Sequence, residues 1–263
     1  MKSIYLRIFS AIGLVATLTA CSHVASDDRF IELPKVEAKR VVLIEDFTGQ
    51  DCVNCPNAHE TIDGLIEQYG DNVVPVSIHA GQLSIPDTKP LGLATEEGEY
   101  YAKQANVTIY PSGLVDRLGT PSTPNEWPTL VYNDIQVPSL FDLDLNAYCE
   151  NGIIKVKAEM TANLESDVIL QLWVVESSIV AMQKTLDTGT YKFDYVHNNV
   201  FRACVNGLDG QPVSLVSLVK QTSESEIALN ERWKTENLAI VGFLYTPELG
   251  VLQAARCNVN PAN

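Results

Sequence analysis

Basic residues are scarce in this chain. It holds 18 Lys plus Arg against 33 Asp plus Glu, a net charge of -15 over 263 residues. A field of that sign repels phosphate backbones, so nucleic acid is excluded as a partner. Glycine and proline, 15 and 13 residues, are too few for a collagen-like or wholly disordered chain. No apolar run reaches the ~20 residues that cross a bilayer as a helix. Also absent are a phosphate-binding glycine loop, an HExxH pair, an EF-hand pattern and a Ser-His-Asp order, so no cofactor and no metal is expected. What the chain does have is length: 263 residues suffice for a proper core without disulfide staples.

The first twenty residues stand apart. Lys2 and Arg7 precede an almost wholly apolar stretch, Ile8 to Leu18, and Leu18-Thr19-Ala20-Cys21 closes it with small residues before a cysteine. This is the pattern of a secretory leader over residues 1–20. Leu-Thr-Ala-Cys resembles the bacterial lipobox, which implies acylation of Cys21. Each buried methylene is worth about 0.8 kcal/mol, so three acyl chains would hold the protein on a membrane almost permanently. Ser22 follows Cys21 where an Asp would resemble an inner-membrane retention signal, and this favours the outer membrane. Residues 21–39 then form a polar tether.

From Arg40 the texture changes. Val41-Val42-Leu43-Ile44 is a continuous aliphatic run, as in a strand buried on both faces. Ala58, Ile62, Leu65, Ile66 and Tyr69 then recur at helical spacing up to Gly70, and Val73 to His79 is again aliphatic. The spacing therefore predicts a strand-helix-strand unit with a right-handed crossover. A helix is expected from Ala94 to Asn106, a strand at Gly113 to Arg117 and a short helix at Thr129 to Ile135. From Val137 the period falls to two, with further strands expected at Val168 to Glu176, Val196 to Val205, Val213 to Gln221, Leu238 to Tyr245 and Val251 to Val259. Their number and spacing suggest a β-sandwich.

Cys52-Val53-Asn54-Cys55 falls where the first strand hands over to the first helix. Backbone N–H groups at a helix start favour a thiolate, making Cys52 the candidate nucleophile and Cys55 the thiol that resolves a mixed disulfide. Here the sequence resembles the thioredoxin-like superfamily. Asp46-Phe47 matches its buried strand-end Asp-Phe, which would make Asp46 the proton acceptor for Cys55. Tyr110-Pro111-Ser112 resembles its cis-proline loop, with Pro111 exposing the Tyr110 backbone to substrate. Tyr110, Val53 and Asn54 are thus candidate substrate contacts. Asp51 departs from the pattern, since its charge opposes a thiolate at Cys52.

A narrower resemblance covers nearly the whole mature chain. Val42-Leu43-Ile44-Glu45-Asp46-Phe47-Thr48-Gly49, the Cys52 to Pro56 segment and His79-Ala80-Gly81 resemble outer-membrane lipoproteins related to the 28-kDa outer membrane protein, found mostly in Bacteroidota. His197 to Arg202 and the Val241 to Ala254 region resemble the same family's β-rich half. The resemblance implies a lipid-anchored thioredoxin-like α/β domain, residues 40–136, followed by an immunoglobulin-like β-sandwich, residues 137–263.

Other residues have plainer expected roles. His59 completes a C-x2-C-x3-H pattern but lacks a fourth ligand nearby, and it reads as an exposed helical residue. His79 reads as structural, and His197 and Arg202 as organisers of a loop. Cys149, Cys204 and Cys257 read as small buried hydrophobes, and Trp127, Trp173 and Trp233 as core or junction residues. Two functions follow. One is thiol-disulfide exchange on envelope proteins; the other is noncatalytic binding or adhesion, with the cysteine-bearing half as scaffold.

Overall fold

The uninterrupted aliphatic run becomes strand β1 (Val42–Thr48), every residue of which is buried. The structure, a computed structural model, describes residues 39–186 and 189–262. Cys21, the leader and most of the tether lie outside the described residues. β2 (Val73–His79) runs parallel to β1, Val42 opposite Val73 and Thr48 opposite His79. β3 (Ser112–Val115) is antiparallel on the other side. Between β1 and β2 lies α1 (Cys55–Tyr69), with Pro56 in its first turn, where a missing N–H breaks no bond. Cys55, Ala58, Ile62 and Leu65 form its buried stripe, and Gly70, at φ +57°, ends it.

Helix α2 (Glu96–Gln104) is capped by Thr95, whose hydroxyl accepts from the Gly98 N–H at 2.9 Å. Helix α3 (Trp127–Ile135) packs Trp127 and Val131 with α1 against β1. The following strands are β4 (Phe141–Glu150), β5 (Ile153–Ala162), β6 (Ser166–Glu176), β7 (Ile179–Lys184), β8 (Tyr191–His197) and β9 (Val200–Cys204). After them come β10 (Gln211–Leu215), β11 (Gln221–Ala228), β12 (Leu238–Thr246) and β13 (Gly250–Pro261). The period of two is plain in β5, which buries Ile154, Val156, Ala158, Met160 and Ala162.

The strand order corrects the expected architecture of a thioredoxin-like α/β domain followed by an immunoglobulin-like sandwich. A single mixed sheet of eleven strands runs β11-β5-β4-β13-β12-β6-β9-β2-β1-β3, with β10 beside β6. All described residues fall within one compact unit. The junction is β9, antiparallel to β6 and in register with β2 through Ser77 and Val200. There the Ser77 N–H donates to the Asn199 carbonyl at 2.8 Å. Two separate sheets would each leave an edge of unpaired N–H and C=O groups; joining them satisfies both edges. Periodicity along the chain reports which face a strand buries and says nothing of which distant strand lies beside it. β7 and β8 stand outside the large sheet as a two-stranded hairpin. No helix among the described residues is long and apolar enough to cross a membrane.

Candidate functional site: a buried disulfide beneath a hairpin

The chain turns from β1 into α1 over residues 49–54. The Cys52 N–H donates to the Gly49 carbonyl at 3.1 Å. This folds Cys52 back toward Cys55, the first residue of α1, and the two sulfurs are joined in a disulfide with a Cα–Cα separation of 5.4 Å. Cys52 is only 3% exposed and Cys55 0%. Between them Val53 is half-buried, and Asn54, the N-cap residue, is exposed. Because the sulfurs are bonded to each other, no thiolate pair is left for the C-x2-C-x3-H ligand set. Among the described residues no group of three His, Cys, Asp or Glu is arranged to hold a metal ion.

Asp46, on β1, is fully buried. Its Oδ2 lies 3.5 Å from the Ser77 hydroxyl, and its Oδ1 has no hydrogen-bond partner among the described residues. Burial pushes its carboxyl up to about 8, partly opposed by Ser77. His59, one turn beyond Cys55, points its Nε2 toward Asp46, 3.6 Å from Oδ2. Its Nδ1 lies 2.8 Å from the Tyr195 hydroxyl. The half-buried ring is therefore not the exposed helical residue expected: the stripe of α1 turns it toward β8. Burial pulls His59 down to about 4 and His197 down to about 3, so at neutral pH both rings are uncharged, while Asp46, at about 8, still exchanges a proton there. The rings of His79 and His197 are 5.2 Å apart, and those of His59 and His197 6.3 Å. All three described histidines thus gather at one place, which no spacing in the sequence announces.

The Tyr110-Pro111 peptide is cis. Ser112 pairs with Phe47, which sets Pro111 level with the end of β1. The Tyr110 ring occupies the space beside Gly81, at φ +72°, where a Cβ would come within 2.5 Å of its hydroxyl oxygen. A side chain there would have to displace the Tyr110 ring and hold a φ that favours glycine.

The feature that sequence reasoning missed is the β7–β8 hairpin lying over the cysteine turn. Gln183 donates its Nε2 to the carbonyls of Cys52 at 2.9 Å and Gly49 at 3.2 Å. The Lys184 N–H donates to the Gln50 carbonyl at 2.8 Å. Gln50 in turn donates to the Met182 carbonyl at 3.2 Å and the Leu91 carbonyl at 2.9 Å. Tyr191 donates its hydroxyl to the Asp51 carboxylate, which gives the departing Asp51 a partner. Ala181 and Gln183 are buried while Val180 is exposed, but Ile179-Val180-Ala181-Met182-Gln183 does not alternate apolar with polar residues, so no period of two announced this strand. His197 and Arg202, expected to organise a loop, lie on the strands β8 and β9. Cys149, Cys204 and Cys257 are free thiols. Burial pushes Cys204 up to about 12 and Cys257 up to about 11, which removes thiolate character.

Residues 98–263 match the family described as outer membrane protein Omp28. Among solved structures, HBP35 of Porphyromonas gingivalis has a TM-score of 0.69 at 13% identity, over 85% of this chain and 77% of that one. A protein from Agrobacterium tumefaciens has a TM-score of 0.50 at 15% identity, over 86% of this chain and 98% of that one. These two are similar in fold. A domain of the outer membrane lipoprotein Omp28 from P. gingivalis is 20% identical over 49% of this chain and 95% of that one, with a TM-score of 0.34. No curated protein matches.

Proposed function

The chain belongs to the Omp28 family of outer membrane proteins, and from that premise we propose that it is a lipid-anchored, noncatalytic binding protein of the outer membrane. Cys21 carries the anchor, residues 21–39 are the tether, and the cysteine-bearing half is scaffold for a recognition surface. One observation carries this reading: the cysteine pair is oxidised, buried at 3% and 0%, and roofed by a hairpin that hydrogen-bonds the Cys52 carbonyl itself. A redox nucleophile must be reached by a partner's sulfur. The hairpin's outer side, by contrast, presents Val180, Val196 and the 68% exposed Phe193 to solvent, the kind of apolar patch that marks interaction surfaces.

Thiol-disulfide exchange is the second reading, favoured by the Asp46 carboxyl at about 8 and the cis Pro111. It requires the hairpin to swing away. In the reduced protein the Cys52 thiolate would then attack a substrate disulfide, and Cys55, losing its proton to Asp46, would displace the reduced substrate and restore the Cys52–Cys55 bond. Thiol trapping and an exchange assay separate the two readings. The binding reading expects a pair that stays oxidised in a glutathione buffer, with no exchange by either the wild type or Cys52→Ser. Exchange by the wild type that Cys52→Ser abolishes would overturn it.

A further inference from the structure

A cleft of about 510 Å³ opens between the segment at residues 87–93, the start of β7 and the stretch that enters β12. At its base lies Arg202, with a side chain only 6% exposed. Neither its Nε nor its Nη1 has a hydrogen-bond partner among the described residues. Its one charged neighbour on the Nε edge, Glu176, stands 3.4 Å away and is itself held by the Lys234 N–H at 3.0 Å. Taking a guanidinium out of water without giving it acceptors is costly. The half-buried Arg117 shows what this fold does when the charge is only structural: it donates to both oxygens of Glu45.

The cleft also reverses the sign of the molecule. In a chain of net charge -15 it gathers Lys89, Arg202, Arg232 and Lys234 around only two acids, Asp87 and Glu176. Arg232 is held in place by the Asp87 carboxylate at 3.2 Å. Apart from Thr88 and Ser178 the rest of the lining is apolar: Leu93 is buried, whereas Leu91 and Val180 are 55% and 54% exposed. A buried cation at the base, further cations and exposed aliphatic side chains around it, and a volume in the range of small-molecule sites specify a ligand with an anionic head and an apolar body.

We propose that this cleft binds a small carboxylate carried on an aliphatic chain, with the carboxylate meeting the Nη2 of Arg202, the guanidinium nitrogen not closed off from solvent, and the chain lying along Leu91 and Val180. The assignment rests on the binding reading above and gives it a site and a ligand class. A carboxylate is preferred to a phosphate because Glu176 already shares the guanidinium, so a dianion would bring a second negative charge against it.

The test is calorimetric titration of the purified mature protein at low salt with octanoate, octanamide, acetate and inorganic phosphate. Octanoate is expected to bind saturably, with octanamide and acetate at least ~10-fold weaker. Arg202→Met should weaken octanoate by ~10-fold or more while retaining the circular dichroism of the wild type. Leu91→Glu, an exposed change that leaves the core untouched, should weaken it several-fold by placing a like charge at the mouth. Unsaturable octanoate binding, equal binding of octanamide, undiminished binding by a folded Arg202→Met, or phosphate binding as tightly as octanoate would each overturn the site. The redox assay is independent. Failed octanoate binding with an inert disulfide removes this site and leaves the binding reading standing, whereas exchange activity removes that reading itself.

Discussion

Two arginines at the large sheet, Arg202 buried on β9 and Arg117 half-buried just past β3, are solvated by the protein in opposite ways. Arg117 bonds both Glu45 oxygens and lies over four rings, with Phe243 at 4.6 Å and Tyr245 at 4.8 Å. Arg202 has an acid 3.4 Å from one edge and unpartnered nitrogens. The first is a completed interaction, in which charge, fork geometry and cation–π contacts all find partners. The second is an incomplete one facing a cleft. Completeness is thus a sharper guide to function in this molecule than burial alone.

Removing each guanidinium separates the two cases. Arg117→Met strips the buried Glu45 of its counter-charge and should destabilise by about 3–5 kcal/mol. Arg202→Met should stay within about 1 kcal/mol of the wild type, because losing a buried cation short of hydrogen-bond acceptors offsets the loss at Glu176, which keeps the Lys234 N–H. Urea unfolding measures both. Equal losses would mean that Arg202 is as structural as Arg117 and would erase the contrast.

Two buried carboxyls make a parallel comparison, legible in pH. Burial raises Asp116 to about 7, against the pull of Arg40 and the Leu43 N–H, and Asp46, with only Ser77, to about 8. An acid whose folded pKa lies above its unfolded value of about 3.9 leaves the folded state holding a proton that the unfolded state has released, so stability falls as pH rises. The loss begins near pH 4 for both groups and ends near 7 for Asp116 and near 8 for Asp46. His59 and His197 act in the opposite sense, since their depressed pKa values cost stability as pH falls below about 6.5. Asp46→Asn should gain on the wild type by about 1.4 kcal/mol per pH unit well below pH 8, or about 2 kcal/mol from pH 6 to 8. Parallel stability–pH curves would show that Asp46 is ionised in the folded protein.

What could be read beforehand and what could not divides along sequence separation. The aliphatic run of β1, the stripe of α1 and the turn that brings Cys52 to Cys55 depend on neighbours within a few residues, and all appear where the pattern sets them. The cis Tyr110-Pro111 peptide is also present, though only the superfamily resemblance pointed to it. The joining of the two halves could not be read, because it hangs on β9 reaching β2 from more than a hundred residues away. The same holds for the hairpin roof, whose Gln183 meets Cys52 across 131 positions. Val196 to Val205, expected as one strand, is split between β8 and β9 because Asn199 takes a positive φ of 55° and breaks the extended run. That break frees β8 to pair with β7.

The smallest effects concern the two ends of that roof, and they ask whether the disulfide is sealed or merely shaded. Gln183 is fully buried and bonds the backbone of the cysteine turn itself, whereas Tyr191 is exposed and reaches only the Asp51 side chain. A buried hydrogen-bonding amide is worth about 1–2 kcal/mol, and an exposed side-chain pair well under 1 kcal/mol. If reduction by dithiothreitol proceeds through local lifting of the hairpin, its rate follows the opening equilibrium. Gln183→Ala should therefore speed reduction by ~5- to 30-fold and Tyr191→Phe by less than ~5-fold, with timed alkylation of Cys52 and Cys55 as the readout. Identical rates for both variants and the wild type would mean that reductant reaches the sulfurs with the hairpin in place, and the roof would then cover the cysteines without guarding them.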